Sequence, residues 1–543
     1  MLTTEIGNLP HAKSASYDTH QAPDNEEPQG CMAGTHERIL DVLEEWATSD
    51  TPSKVFWLNG MAGTGKTSIA HTLCERLDEK QMLGASFFCS RSTSEEVKEA
   101  SLIIPTIAAK LSQASPPLRS EMVQSIEKEP DVGSMRILSR QFRLLLVGPI
   151  QRALDPSVKT YKAVVIDGLD ECTDLRMVEK LIQAIVVFTL DMPLKFFLSS
   201  RDTTQIQSAI HHNPNYTPKI VPLDTIERTQ QDIELYLHTS LSAIVTKHQL
   251  SIPWPPPNEF KILLEQSDKL FIYAATALRY IGAPDVDFRK RLTGITCLTP
   301  ARMETGILDS LYNEIMRQAF CSQLKPEEVP WRRKVLSTVV FLVVPLSVEA
   351  IGSLFSMDSL QAWFALAPFR SVIHVPPVAN ISPVTIFHAS FPDFIVDPSR
   401  CEETFRLDQS EGHQMLTVQC LRWLNQTLKR NICNPVSSSH ELNTIPEALR
   451  CSCLHWASHL AHALASTLAQ TSVTELRDLV SEFVDKHLLH WFECLSVLEE
   501  LVSGINLLDT ANEAISVSVK VASEILINSI HRHAQESTLN SWV

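Results

Sequence analysis

The sequence predicts an α/β core followed by a long helical region. Three observations carry this. Short apolar runs alternate with amphipathic helical stretches from residue 53 to about 223. Strand-like runs nearly vanish after Asp224. A glycine-rich turn joins the first apolar run to the helix that follows it. Alternation of this kind builds a parallel sheet covered by helices on both faces.

Each element can be read in order. Residues 1–30 are polar, carry Pro10, Pro23 and Pro28, and read as a flexible leader. In "THERILDVLEEWATS", Ile39, Leu40, Leu43 and Trp46 recur at helical spacing. "KVFWLNG", "GASFFCS", "YKAVVIDGLDE", "LKFFLSSR" and "PKIVPLD" are strands; "KTSIAHTLCERL", "EASLIIPTIAAKLSQ" and "SRQFRLLLVGPIQRAL" are helical. Next comes a helix with Ile233, Leu237, Leu241 and Ile244 on one face, then the stiff proline linker "IPWPPPN" at 252–258. "NEFKILLEQSDKLFIYAATALRYI" is two helices and "GILDSLYNEIMRQAF" one more. "FRSVIHVPPVANISPVTIFHASF" holds two β-rich runs around a Pro/Asn turn, a hairpin that, with the helices before it, suits a winged helix. Helices return after 401, where Leu476, Leu479, Val480, Phe483, Leu488, Trp491, Leu495 and Leu498 keep helical spacing. The expected division is a leader (1–30), an α/β domain (31–223), a helical lid (224–328), a winged helix (329–400) and a helical C-terminal domain (401–543).

The 543 residues are 44% hydrophobic and 20% charged, which describes a globular chain of several domains. Net charge is 47 − 63 = −16, which argues against broad binding to nucleic acid or anionic membrane. The twelve cysteines form no disulfide ladder, so a reduced, cytoplasmic chain is expected. The first residues lack a signal-type apolar core, and the run "TVVFLVVPL" is too short to span a bilayer.

The chemistry concentrates at "NGMAGTGKTS". Gly60, Gly63 and Gly65 lie within six positions of a chain that holds only 16 glycines. With Met61, Ala62 and Thr64 between them, and Lys66, Thr67 and Ser68 after, they satisfy the phosphate-loop pattern. Such glycines let backbone N–H groups turn around an anion, and the following helix points its positive end at it. Lys66 supplies a mobile charge for the outer phosphates and Thr67 a hydroxyl for Mg²⁺. About a hundred residues on, Asp167 ends the apolar strand of "AVVIDGLDEC", where it would hold Mg²⁺ opposite Thr67. Asp170 or Glu171, just beyond, could polarise an attacking water. Arg201 follows another strand end and either reaches the γ-phosphate or is a solvated loop residue. Cys451, Cys453, His455 and His459 suggest a metal. On a helix, however, Cys453 points about 200° away from the other three, so a packed helix is the better reading.

Together these residues resemble a family. "GMAGTGKTSIA", "AVVIDGLDEC" and "FFLSSR" resemble the NACHT branch of the signal-transduction ATPases with numerous domains (STAND). "GCMAGTHERILDVLEEWA" looks like the Cys-x-x-Gly-Thr-Arg start of fungal NACHT proteins, some of which are labelled nephrocystin-like N-terminal modules. "KLFIYAATALRYI", "ILDSLYNEIM" and "FHASFPDFIVDPSR" are similar to the helical and winged-helix segments of that group, and "ALRCSCLHWASHLA" to its helical extension. The resemblance spans roughly 31–500 and implies a P-loop NTPase core that holds ADP when closed. Exchange for ATP opens it, it assembles into oligomers, and it hydrolyses ATP slowly. Carried over by motif, Gly60 to Ser68 cradle phosphates, Asp167 and Thr67 hold Mg²⁺, and Asp170 or Glu171 acts in hydrolysis. Arg201 senses the γ-phosphate, His388 meets the ADP β-phosphate, and Gly34 and Thr35 lie near the adenine. Two positions depart from the pattern: His36 stands where the family has Arg, and Lys269 where it has Gly. With no effector domain before residue 30 and no WD-type or ankyrin-type repeats after 500, effector and sensor proteins in trans are expected, beside self-association. The family analogy suggests NLR-like non-self recognition or programmed death as the process. The alternatives are an ATP-dependent small-molecule kinase, another metabolic P-loop enzyme, or a nucleotide-binding adaptor without turnover.

Overall fold

The computed structural model describes residues 9–19, 30–91, 95–153, 162–213, 216–223, 229–248, 253–284, 287–298, 306–320, 327–378, 382–430, 432, 445–465 and 470–518. The chain forms two compact units, Met1–Leu311 and Tyr312–Val543. The division between them runs through the helix Ile307–Ala319.

The first unit is built on five parallel strands: β1 (Val55–Asn59), β2 (Leu83–Phe88), β3 (Lys162–Asp167), β4 (Leu194–Ser200) and β5 (Lys219–Pro222). Their order is β2-β3-β4-β1-β5, so β4 lies between the strand before the glycine loop and the strand ending in Asp167. Register is continuous on both sides of β4, with Asn59 opposite Ser200 and Ile166 opposite Leu198, while the β2–β3 pair shifts register between Leu83 and Ala85. The period of two puts Val55 and Trp57 into the core on one face, and Phe56 and Leu58 into the core on the other. Helices α1 (Glu37–Thr48) and α2 (Lys66–Glu79) cover the second face. Helices α3 (Ile103–Ala114), α4 (Pro116–Lys128), the helical run 138–153 and α5 (Leu175–Phe188) cover the first. The parallel sheet covered on both faces is the one expected, and Ile39, Leu40, Leu43 and Trp46 are all buried as their spacing predicts.

Residues 9–19 depart from the expected flexible leader. Leu9, Ala12 and Ala15 join the core. The Phe88 N–H donates to the Ala15 carbonyl at 2.8 Å, and the Ala12 N–H to Thr106 Oγ1 at 2.9 Å. The physical reason is the strand order: β2 is an edge strand, and a segment laid along it occupies backbone groups that would otherwise be open to pairing. Residues 1–8 and 20–29 of that leader lie outside the described residues.

Beyond β5 come α6 (Thr229–Lys247), α7 (Pro257–Ser267), α8 (Phe271–Ile281) and α9 (Phe288–Thr296). The proline linker is shorter than expected because Pro257 already opens α7, where a missing N–H costs nothing. In the second unit, α10 (Glu328–Phe341), α11 (Val348–Leu354) and α12 (Ser359–Leu366) precede β6 (Ile373–His374) and β7 (Thr385–Ile386), an antiparallel pair. These strands are only two residues each, since Pro376, Pro377 and Pro383 contribute no ladder N–H. The central turn, residues 379–381, lies outside the described residues. Helices α13 (Ser390–Val396), α14 (Gln409–Thr427), α15 (Glu447–Leu464), α16 (Gln470–Glu482), α17 (Leu488–Val497) and α18 (Leu501–Ser518) follow. Helices α14 to α18 share a core around Trp456 and Trp491. Cys451, Cys453 and His459 are buried on α15. Among the described residues no helix is long and apolar enough to cross a membrane.

Candidate functional site

Parallel strands bring their C-terminal ends to one edge, and the crevice there is where open α/β sheets bind ligands. The loop Gly60–Gly65 leaves β1 and α2 begins at Lys66. Gly63 and Gly65 have φ of +81° and +98°, in the left-handed region where a side chain would be strained. Gly65 is the N-cap of α2 and has no side chain to cap it, so an anion is the natural complement of this helix start. The Lys66 Nζ folds over the loop and donates to the carbonyls of Gly60 at 2.8 Å and Met61 at 2.7 Å. Thr64 Oγ1 donates to Met61 O at 2.9 Å. The Met61 side chain is exposed, while Ala62 and Ser68 are half-buried.

Asp167 is buried at the end of β3. Burial pushes its carboxyl above the usual range; hydrogen bonds from the Ser199 and Thr67 hydroxyls and the charge of Lys66 oppose that shift. Thr67 and Asp167 are thus joined across the crevice, as the motif spacing requires. Their oxygens, with the glycine cradle, fit a Mg²⁺–nucleotide in donor chemistry. Ser199 also accepts the N–H of Gly168 at 3.0 Å.

The two following acids have different surroundings. Asp170 is buried and its carboxylate is engaged by Arg201, through the backbone N–H at 2.9 Å and Nε at 3.1 Å. Glu171 is half-buried, and its Oε2 accepts the N–H of Arg91 at 3.1 Å. Its carboxyl is pushed up to about 7, chiefly by burial, with the Arg91 N–H opposing and the charges of Asp170 and Asp167 adding. The Arg91 guanidinium donates to the Asp170 carbonyl at 2.8 Å, so the end of β2 braces the loop after β3.

The segment before α1 packs on this edge. Cys31 N–H donates to Thr72 Oγ1 on α2 at 2.7 Å. Thr35 is buried, with its N–H and hydroxyl both on the Met32 carbonyl at 2.9 and 2.7 Å. Gly34 has φ +86°, and a Cβ there would stand 3.0 Å from a Leu235 methyl on α6. The start of α8 closes on the loop: the Ile272 N–H donates to Gly63 O at 3.0 Å.

Gly60 to Ser68, Asp167, Asp170, Glu171, Arg201, Gly34 and Thr35 all belong to the first unit. His388 belongs to the second, where its Nδ1 accepts the Ser390 N–H at 3.1 Å. Sequence reasoning missed Ser199, Arg91 and Ile272. The signal for Ser199 was a pair of serines, 199 and 200, closing an otherwise apolar strand.

A family match covers this core. Residues 34–201 match the family described as Nephrocystin 3, N-terminal. No curated protein matches the chain. Among solved structures, a chain of Drosophila ORC bound to DNA is 13% identical, covering 92% of this chain and 71% of that one, at a TM-score of 0.25. A chain of C. elegans PCH-2 is 14% identical, covering 54% and 72%, at a TM-score of 0.24. The family match, which ends at Arg201, and the parallel sheet support an α/β P-loop NTPase core in the first unit.

Proposed function

We propose that the chain is an ATP/ADP-dependent signalling switch of the NACHT/STAND type, with slow hydrolysis coupled to domain opening and self-association. The observation that carries this is the hydrogen bond from Ile272 to Gly63, with the Ile272 side chain against the same glycine. A Cβ on Gly63 would stand 2.0 Å from Ile272 Cγ2. A phosphate cradled by that loop therefore acts directly on the backbone that seats the helical lid. A switch of this kind needs such contact between loop and lid, so that the phosphate state changes how the lid is held.

In this reading Gly60 to Ser68 bind the phosphates, and Thr67 and Asp167 hold Mg²⁺, which would neutralise charge on the outer phosphates. Glu171 takes a proton from water at its carboxylate. Asp170, already engaged by Arg201, orients that arginine toward the γ-phosphate. His388 is proposed to favour the ADP-held state, and the region 329–400 to act as a winged helix. Effector and sensor partners, a cytoplasmic location and a role in fungal NLR-like signalling are part of the same proposal.

The test is the nucleotide carried by purified protein, with its mass before and after exchange for a non-hydrolysable ATP analogue. Retained ADP and nucleotide-dependent assembly are expected, both lost in Lys66→Ala. His388→Ala is expected to speed ADP release. Rapid multiple turnover stimulated by a small molecule would assign a metabolic kinase instead, and wild-type affinity in Lys66→Ala would remove the phosphate-loop assignment.

A further inference from the structure

Beside the phosphate loop lies a buried ring with no role in the arrangement above. His36 caps the start of α1 in a left-handed conformation, φ +57°, which is strained for an L-residue. Two contacts with the lid hold it there. Its N–H donates to Asp232 Oδ2 on α6 at 3.0 Å, and its ring centroid lies 4.6 Å from that of Phe271, the first residue of α8. Only 5% of the residue is exposed. Its Nε2 is buried and has no hydrogen-bond partner among the described residues. That nitrogen is aimed at the phosphate loop: a Cβ built on Gly65 would stand 2.6 Å from it, nearer than any other atom.

An imidazole nitrogen buried without a partner pays its desolvation with nothing in return. Native folds rarely keep such a group unless something outside the chain satisfies it. Gly65 is the N-cap of α2, where the backbone and the helix dipole collect an anion. We propose that His36 is a nucleotide-binding residue whose Nε2 donates to a phosphate oxygen of a nucleoside di- or triphosphate, and that it gains a proton as the nucleotide binds. This rests on the nucleotide reading of the loop and adds to it a proton-linked contact from the segment preceding α1.

The sign follows from the surroundings. Burial lowers the imidazole below its ordinary value, and Asp232 opposes that only in part, so the ring is neutral near pH 7 before nucleotide binds. The other facing elements add little charge. The loop presents Gly65, with Lys66 next in sequence, and α8 presents Phe271. On its own helix, Glu37 is paired with Arg76. A phosphate brought to Nε2 raises the proton affinity of the ring. Binding therefore takes up protons and strengthens as pH falls, by at most about tenfold per pH unit for a single site.

The experiment is calorimetric titration of Mg²⁺–ADP into the full chain near pH 6.5, in buffers of different ionisation enthalpy. The buffer dependence gives the protons taken up. Wild-type protein is compared with His36→Asn, chosen because Asn tolerates the left-handed region, and with His36→Gln as a second neutral donor. Titration of the ADP phosphate itself is common to all three. The expected result is proton uptake by wild type beyond that of both variants, which bind ADP several-fold more weakly and lose the excess pH dependence. Equal proton uptake in wild type and variants overturns the proposal while leaving the loop assignment intact. Failure of the wild-type chain to bind ADP overturns both.

Discussion

The Ser199 hydroxyl donates to the Asp167 carboxylate while accepting the N–H of Gly168. One buried side chain thus fixes both the acid at the end of β3 and the turn after it. Ser199→Ala removes both bonds and leaves the carboxylate and the N–H short of a partner in a buried site. The expected loss of stability is about 1–3 kcal/mol, read as a lower denaturant midpoint, together with a higher Mg²⁺ requirement for ATP binding. An unchanged midpoint and Mg²⁺ dependence would reduce Ser199 to space-filling.

Glu171 carries a pH prediction. Its carboxyl is raised to about 7 by burial, so it is largely protonated below that pH and cannot accept a proton from water. Single-turnover ATP hydrolysis is expected to rise with pH through a midpoint near 7 and to level off above it. Glu171→Gln should keep nucleotide binding and lower the rate by about 10²–10⁴-fold with no such midpoint. A rate that ignores the substitution clears Glu171 of the role and turns attention to Asp170.

Much of this site was legible because its chemistry depends on local spacing. The phosphate-loop pattern, the acid ending an apolar strand and the arginine past the next strand each lie within a few residues of sequence. Legibility stopped where a residue acts through contacts distant in sequence. Ser199 meets Asp167 across 32 positions and Ile272 meets the loop across more than two hundred, and no periodicity announces either. The packing of residues 9–19 on β2 was hidden for a similar reason. A short, polar, proline-containing segment looks like a leader until the strand order makes β2 an edge. Lys269 was visible as a departure from the resembled pattern, and the fold gives its meaning: φ is +64°, a left-handed position that Gly adopts more easily.

Gly63 is where loop and lid can be separated by one substitution. Gly63→Ala adds a methyl at φ +81° and drives it into Ile272, 2.0 Å away. Either the loop distorts or the start of α8 moves. Hydrogen exchange at the amides of α8 is expected to accelerate in this variant, most at Ile272, whose N–H bonds Gly63. Ile272→Gly in the same background removes both crowding atoms, Cγ2 at 2.0 Å and Cβ at 2.7 Å, and should slow that exchange again in part, the strain at φ +81° remaining. If exchange in α8 matches wild type, the lid is seated by contacts other than the loop.

In the second unit, His413 on α14 and His459 on α15 place their Nδ1 atoms 2.9 Å apart. One ring must donate and the other accept, so the pair holds only while at least one of them is neutral. His462 stacks on His413 at 4.6 Å and the Phe341 ring lies at 5.4 Å. Burial, with the charge of His462, lowers His413 to about 4. Burial also takes His459 well below its ordinary value, with His413, His455 and His462 adding to the shift. The unfolded chain binds protons at these rings near pH 6.5, whereas in the folded chain His413 takes one only at about 4 and His459 only well below its ordinary range. The pair's contribution is therefore fully present above about 6.5 and is lost as pH falls toward 4. Denaturant unfolding followed by the fluorescence of Trp456 and Trp491, in the same core, should show stability falling across that window. In the double variant His413→Leu with His459→Leu the slope should shrink. A slope that persists in the double variant would place the acid-sensitive groups elsewhere in the chain.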